Sequence, residues 1–274
     1  MFTLNCKGRL LIIDKPIVMG IINVTPDSFF EDSRHQTVED IVQKSAQMLH
    51  DGATIIDIGG QTTKPGSEEV GSTEEIRRVL PVIETLTQKF PGIYISIDTY
   101  HAAVAKAAIE AGASIVNDVS GGMMDAAMLT TVATLNVPYI CMHMQGTPQT
   151  MQLHPTYENV TKEVLDYFIE RLGACKLAGI KDVIIDVGFG FGKTITHNFQ
   201  LLKEIAVFKM LEVPILAGLS RKSTIYKTLG ISAHEALNGT TVLNTVALQN
   251  GASILRVHDV KEANEAIMLL GKMK

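Results

Sequence analysis

The 274-residue chain is short of cysteine, has no surplus of basic residues and carries no long apolar run, and each shortage removes a class of protein. Three cysteines, Cys6, Cys141 and Cys175, form no C-x-x-C pair, so a disulfide framework is not expected and a reducing, cytosolic compartment is. Lys and Arg number 24 against 29 Asp and Glu, and the basic residues are scattered, which leaves no electrostatic footprint for nucleic acid. The apolar run at the start spans only Leu10 to Ile13 and meets Asp14 at once, so no signal peptide is expected there. No run approaches the length that crosses a membrane. No linker rich in Pro, Gly or Ser breaks the chain, and residues 1–274 read as one domain.

What the chain does have is alternation. Eight short runs rich in Ile and Val, IVMGIIN, TIIDI, YISID, SIVND, YICMH, VIID, ILAGLS and ILRVH, are separated by stretches with apolar residues at three and four spacing. Gly52, Gly112, Gly179 and Gly251 follow the helical stretches closely, as helix-ending glycines do. Strand then helix, eight times over, predicts an α/β fold of the (β/α)8 TIM barrel type, with the first thirteen residues as a strand pair or plug closing its bottom.

In such a barrel the C-terminal strand ends converge on one face. Those ends carry Asn23, Asp57, Asp98, Asn117 with Asp118, His143, Asp186, Ser220 and His258. No H-E-x-x-H or close ligand pair occurs in any one segment, so recognition of an organic ligand is the better expectation than a metal cage. Asp98 also suits the N-cap of the helix that follows it. Of Asn117 and Asp118 only one can face inward, and Asn117 is the better choice for a ligand. Arg256 and His258, two apart on the last strand, project the same way, as a phosphate grip would require. The other histidines, His35, His50, His154, His197 and His234, read as structural. Two connections, residues 23–36 and 59–71, are long, polar and punctuated by Gly and Pro, and are expected to close over a ligand.

The segment DVGFGFGKT ends in a Gly-Lys-Thr that resembles a phosphate-cradling loop, but only Phe189, Gly190 and Phe191 stand between Gly188 and Gly192 where that loop needs four residues. Two phenylalanines would also add flat apolar faces rather than backbone donors. An aromatic ligand is expected there instead of a nucleotide.

Taken together and in order, GIINVTPDSF, GGQTTKPGS, SIDT, NDVSGG, MHMQGTP, DVGFGFGK, GLSRKS and RVHDV resemble the dihydropteroate synthases. Thr62 and Lys64 stand where that family usually has Ser and Arg, and Val187 where Pro is common. The resemblance implies a transferase of folate biosynthesis that joins 4-aminobenzoate to 6-hydroxymethyl-7,8-dihydropterin pyrophosphate, with Mg²⁺, a cytoplasmic location and a homodimer. It implies Asp98, Asn117, Met142, Asp186, Gly218 and Lys222 around the pterin, and Asn23, Thr63, Arg256 and His258 around the pyrophosphate with the metal at Asn23. It further implies Thr63, Pro65, Phe191, Ser220 and Lys222 around 4-aminobenzoate, with Asp98, Asp186, Lys222, Arg256 and His258 carrying catalysis. A pterin-binding methyltransferase barrel and a non-catalytic pterin carrier share the pterin-facing residues but do not need the pyrophosphate grip.

Overall fold

The computed structural model describes residues 1–24, 34–61, 70–147, 150–151 and 155–273, with the backbone alone for 34–37. A hairpin comes first, β1 (Phe2–Cys6) paired antiparallel with β2 (Arg9–Ile13) across Lys7 and Gly8, both at positive φ as a tight two-residue turn requires. Eight parallel strands follow: β3 (Ile17–Asn23), β4 (Ala53–Gly59), β5 (Tyr94–Asp98), β6 (Ile115–Asp118), β7 (Tyr139–Met142), β8 (Val183–Asp186), β9 (Ile215–Ala217) and β10 (Ile254–Val257). They pair in sequence order and close, β10 lying between β9 and β3, so the barrel expected from the alternation is the one observed.

The helices that face the barrel are α1 (Arg34–His50), α2 (Ser72–Lys89), α3 (Ala102–Ala111), α4 (Met128–Leu135), α5 (Val160–Ala178), α6 (Ile195–Glu204), α7 (Ser223–Leu229), α8 (Leu237–Gln249) and α9 (Val260–Gly271). Helix α1 starts at Arg34, three residues before the amphipathic pattern becomes readable at Thr37. Helix α5 illustrates how local sequence sets such limits. The Asn159 side chain accepts the Lys162 N–H at its start, and Gly179 ends it in the left-handed region at φ 93°.

Along each strand the side chains alternate, and this period of two builds the site. One set, Val18, Ile56, Ile95, Ile97, Val116, Tyr139 and Ile185 among them, packs outward against the helices. The inward set begins with Met19, Ile55, Ile115, Ile140, Ile184, Leu216 and Ile254, and Leu4, Cys6, Leu11 and Ile13 of the hairpin press into it from below. Each fully buried Leu or Ile of this plug contributes about 1.5 to 3 kcal/mol relative to exposure. The hairpin is also tied down by polar bonds, Asn5 N–H to Asp182 at 2.7 Å and Lys7 Nζ to the Ile109 carbonyl at 2.6 Å. With the bottom filled, the C-terminal mouth is the end at which polar side chains enter the barrel.

Candidate active site

Two residues beyond the apolar layer, the same inward face carries Asp57, Ser96, Asn117, Met142, Asp186, Gly218 and Arg256. One residue pair further out come Gly59, Asp98, Ser220 and His258. The strand period thus places a polar tier directly on the apolar one, and strand pairing brings Asn23, Gly59 and Asp98 side by side and Asp98 beside Asn117.

Arg256 organises the floor. Its Nε donates to Asp57 Oδ2 at 2.7 Å and its Nη2 to Asp98 Oδ2 at 2.5 Å, while Nη2 also lies 2.6 Å from Asp57 Oδ2. Asn117 Nδ2 donates to that same Asp57 oxygen at 3.2 Å. Burial works against the guanidinium charge, but Asp57 and Asp98 more than offset it and hold the pKa above its ordinary value. The Asp98 carboxyl is pushed up to about 7, by burial first and by Asp57, Asp118 and Asp186, with Arg256 pulling the other way. Asp57, a strand-end carboxylate with no role evident in the sequence, is therefore the residue that holds both Arg256, expected at the pyrophosphate, and Asn117, expected at the pterin. Its signal was a carboxylate two residues past inward-facing Ile55, in the middle of an apolar strand.

Across the mouth, Asp186 accepts the Gly188 N–H on Oδ1 at 2.8 Å, and burial raises its pKa although Lys222 and that bond oppose it. A Cβ built on Gly218 would sit 3.8 Å from Asp186 Oδ2 and 3.7 Å from Lys222 Nζ, so this glycine leaves the space between them open. Lys222 Nζ donates to the Phe189 carbonyl and stands 4.8 Å from the centre of the Phe191 ring. Burial pushes its pKa down to about 8, against the pull of Asp186. Met142 is buried with Tyr100 and Val119, and Met144 and Phe191 pack on them as one apolar wall. Phe189, by contrast, is fully buried in the outer core, and Val187 with it.

Of Asn117 and Asp118, Asn117 faces the barrel interior, where it meets Asp57. Asp118 spends its oxygens on Ser120 N–H and O–H, each at 2.7 Å, Gly122 N–H at 2.8 Å and Tyr139 O–H at 2.8 Å, which is a turn-building role. Arg221, in the strand-seven segment with Ser220 and Lys222, is held bidentate by Asp259 at 2.8 Å and by the carbonyls of Ala233 and His234. Ser220 Oγ accepts the His258 N–H at 3.1 Å, which brings the ends of β9 and β10 together. The His258 ring is exposed at the rim, and the desolvation it does suffer, with Arg256 and Lys44 nearby, lowers its pKa. Asn23 is exposed at the end of β3. Thr63 and Pro65, with Thr62 and Lys64, lie outside the described residues. Among the described residues no group of three His, Cys, Asp or Glu could cage a metal.

One buried carboxyl lies just behind this site. Glu75 in the first turn of α2 is 1% exposed, accepts Thr99 Oγ1 on Oε2 at 3.1 Å, and has no hydrogen-bond partner for Oε1. Burial pushes its pKa up to about 8, helped by Asp98 and opposed by Thr99 and Arg78. A carboxyl with a raised folded pKa is protonated in the folded chain, so stability is lost as pH climbs from the ordinary carboxylate range through 8. Glu75→Gln should match the parent near pH 5 and become the more stable of the two above pH 8, read as melting temperature against pH. Parallel curves from pH 5 to 9 would remove the buried acid from the account.

The sequence profile of the pterin binding enzymes matches residues 19–258. The dihydropteroate synthase of Escherichia coli (strain K12) is 42% identical over 269 residues, 97% of this chain and 95% of that protein. Among solved structures, dihydropteroate synthase of Xanthomonas albilineans with 4-aminobenzoic acid superposes with a TM-score of 0.91 at 41% identity, covering 99% of this chain and 97% of that one. The same organism's enzyme in complex with 7,8-dihydropteroate gives a TM-score of 0.88 at 40% identity, with 99% and 98% covered.

Proposed function

The chain belongs to the dihydropteroate synthase family of pterin-binding enzymes, and from that premise we propose how its own residues carry the family's reaction. That reaction is the transferase step of folate biosynthesis in which 4-aminobenzoate condenses with 6-hydroxymethyl-7,8-dihydropterin pyrophosphate to give 7,8-dihydropteroate and pyrophosphate. The observation that carries the assignment of roles is the polar tier itself. Asp98, Asn117 and Asp186 offer acceptors and one amide from three strands around the mouth, and a pterin's amino-pyrimidinone edge presents the donors and acceptors that pair with them. Lys222, beside Asp186 across Gly218, is placed for the ring carbonyl and a ring nitrogen, and Met142 for the ring face.

The pyrophosphate leaves from the rim, where Asn23, His258 and, outside the described residues, Thr63 would meet it. Arg256 keeps Nε and Nη2 for Asp57 and Asp98, so it reaches the leaving group only with the rest of its guanidinium while fixing the pterin carboxylate. A single exposed amide oxygen at Asn23, with phosphate oxygens and waters supplying the remaining ligands, is a donor set that suits Mg²⁺, which takes few protein ligands at phosphate sites. Bound there, the ion would supply charge neutralisation to the leaving group. The C–O bond breaks with its electron pair going to pyrophosphate, and the electron-rich pterin, flanked by Asp98 and Asp186, stabilises the methylene cation left behind. The amine nitrogen of 4-aminobenzoate, neutral at pH 7, then forms the C–N bond and releases one proton. Phe191 forms one side of its pocket, with Ser220 and Lys222 near its polar end, and Pro65 and Thr63, outside the described residues, are proposed to complete it.

Two coarser features are part of the proposal. Exposed Val242 on α8 and Met268 and Leu269 on α9 support a homodimer, which sedimentation of a monomer would remove. The three unpaired, buried cysteines support the cytoplasm, which recovery of the native protein outside the cell would contradict. The reaction is tested by incubating the protein with the pterin pyrophosphate, Mg²⁺ and 4-aminobenzoate and following dihydropteroate. Formation that stops on omission of either substrate is the expected result. Pterin binding without product would favour a carrier instead.

A further inference from the structure

The Gly-Lys that resembles a phosphate loop has been absorbed by none of these roles, and its geometry gives it a different one. Lys193 is 3% exposed and its Nζ lies 3.0 Å from the Gly188 carbonyl, 3.0 Å from the Phe191 carbonyl, 2.9 Å from His143 Nδ1 and 3.3 Å from the His143 carbonyl. A phosphate loop turns backbone N–H groups inward around an anion. This one turns carbonyls inward around its own cation. The turn closes on itself by Phe191 N–H to the Gly188 carbonyl at 3.1 Å, and from outside Tyr157 O–H holds the Gly192 carbonyl at 2.8 Å while Asn198 Oδ1 takes the Gly190 N–H at 2.7 Å. Gly188 at φ 69° has no room for a side chain, since a Cβ would collide with the His143 carbonyl.

Two groups at the mouth hang from this turn: the Phe191 ring, and the Phe189 carbonyl that receives Lys222. We infer that Lys193 is a positioning residue for the amine substrate, its ammonium fixing the 188–192 turn so that Phe191 and Lys222 keep their places at the mouth. The inference rests on the reading of Phe191 as a side of the 4-aminobenzoate pocket. Burial lowers the lysine's pKa, with Asp186 opposing and Lys222 adding to the fall, and the ring of His143 is held neutral, its pKa pushed down to about 2 by burial and by Lys193. Neutral His143 can present an unprotonated Nδ1 to the ammonium, which leaves the cation and its carbonyls as the bond between the loops after β7 and β8.

The test compares Lys193→Met and Phe191→Ala with the parent, measuring KM for each substrate and the melting temperature. Lys193→Met should raise KM for 4-aminobenzoate about tenfold or more, the scale of one lost charge-assisted hydrogen bond, and leave the KM of the pterin pyrophosphate within about threefold. The pterin side should change less because, although Lys222 hangs from the turn, Asp98, Asn117 and Asp186 stand on strands. Lys193→Ala should regain amine affinity when 1-propylammonium is added, and not with 1-propanol at the same concentration. If the methionine variant does not fold, Lys193→Gln, which keeps N–H donors, replaces it in the same assays. Equal changes in both KM values, or a lower melting temperature with both KM values intact, would overturn the positioning role. Phe191→Ala with unchanged amine KM would overturn the reading of Phe191, whatever the lysine variants do.

Discussion

Arg256→Met should cost about 3 to 5 kcal/mol of stability at neutral pH and lower kcat/KM by roughly 100-fold or more, because it strands two carboxylates that the fold has buried together. Asp57 is fully buried and Asp98 nearly so, and both draw on the one guanidinium. The loss should depend on pH in a stated direction. Asp98 already has its pKa pushed up to about 7 with Arg256 pulling it down, so removing the arginine raises it further. A carboxyl with a raised folded pKa takes stability away as pH rises. The gap between parent and variant in urea midpoint should therefore be smaller near pH 5, where protonation neutralises Asp98, and wider near pH 8.5. Adding Asp57→Asn to the variant should recover part of the stability, since it removes one of the two stranded charges. A gap of equal size at both pH values would mean that lost packing, not stranded charge, sets the cost.

The difference between what sequence reveals and what it conceals is visible in this cluster. Asp98, Asn117 and Asp186 end apolar runs, and the barrel rule alone puts strand ends on one face. The hairpin plug is legible for a similar reason: its apolar residues alternate, and Gly8 marks the turn. Asp57 is harder, because a further Ile and two Gly residues follow it and it belongs to the tier below the rim. Only the pairing of β4 with β5, and the reach of an arginine from β10, give it a function. Lys193 is concealed in another way, since the residues around it spell a familiar anion site while the backbone turns its carbonyls the other way. Glu75 looks like an ordinary acid in the first turn of a helix, and only packing against Gly60 and Thr99 reveals a buried carboxyl.

Asp186→Asn should have the second large effect, and its signature is a change in the pH profile as well as in rate. The substitution keeps size, and the amide oxygen can still accept the Gly188 N–H that Oδ1 accepts now at 2.8 Å. The other position changes from an acceptor to a donor, and it faces the open space at Gly218 where the pterin's donor-rich edge is proposed to lie. A donor set against donors, with one charged bond lost, should cost about 2 to 4 kcal/mol in transition-state binding. That is roughly 30- to 1000-fold in kcat/KM, with the melting temperature little changed. Lys222 is the second reporter. Its pKa is pushed down to about 8 by burial, and Asp186 is the neighbour that resists the fall. With the carboxylate gone that pKa must drop further, so the charged form is lost earlier as pH rises. The alkaline limb of kcat/KM should accordingly begin near pH 8 in the parent and move to lower pH in the variant. An unchanged alkaline limb would separate Lys222 from Asp186, and near-normal kcat/KM would take Asp186 out of the site altogether.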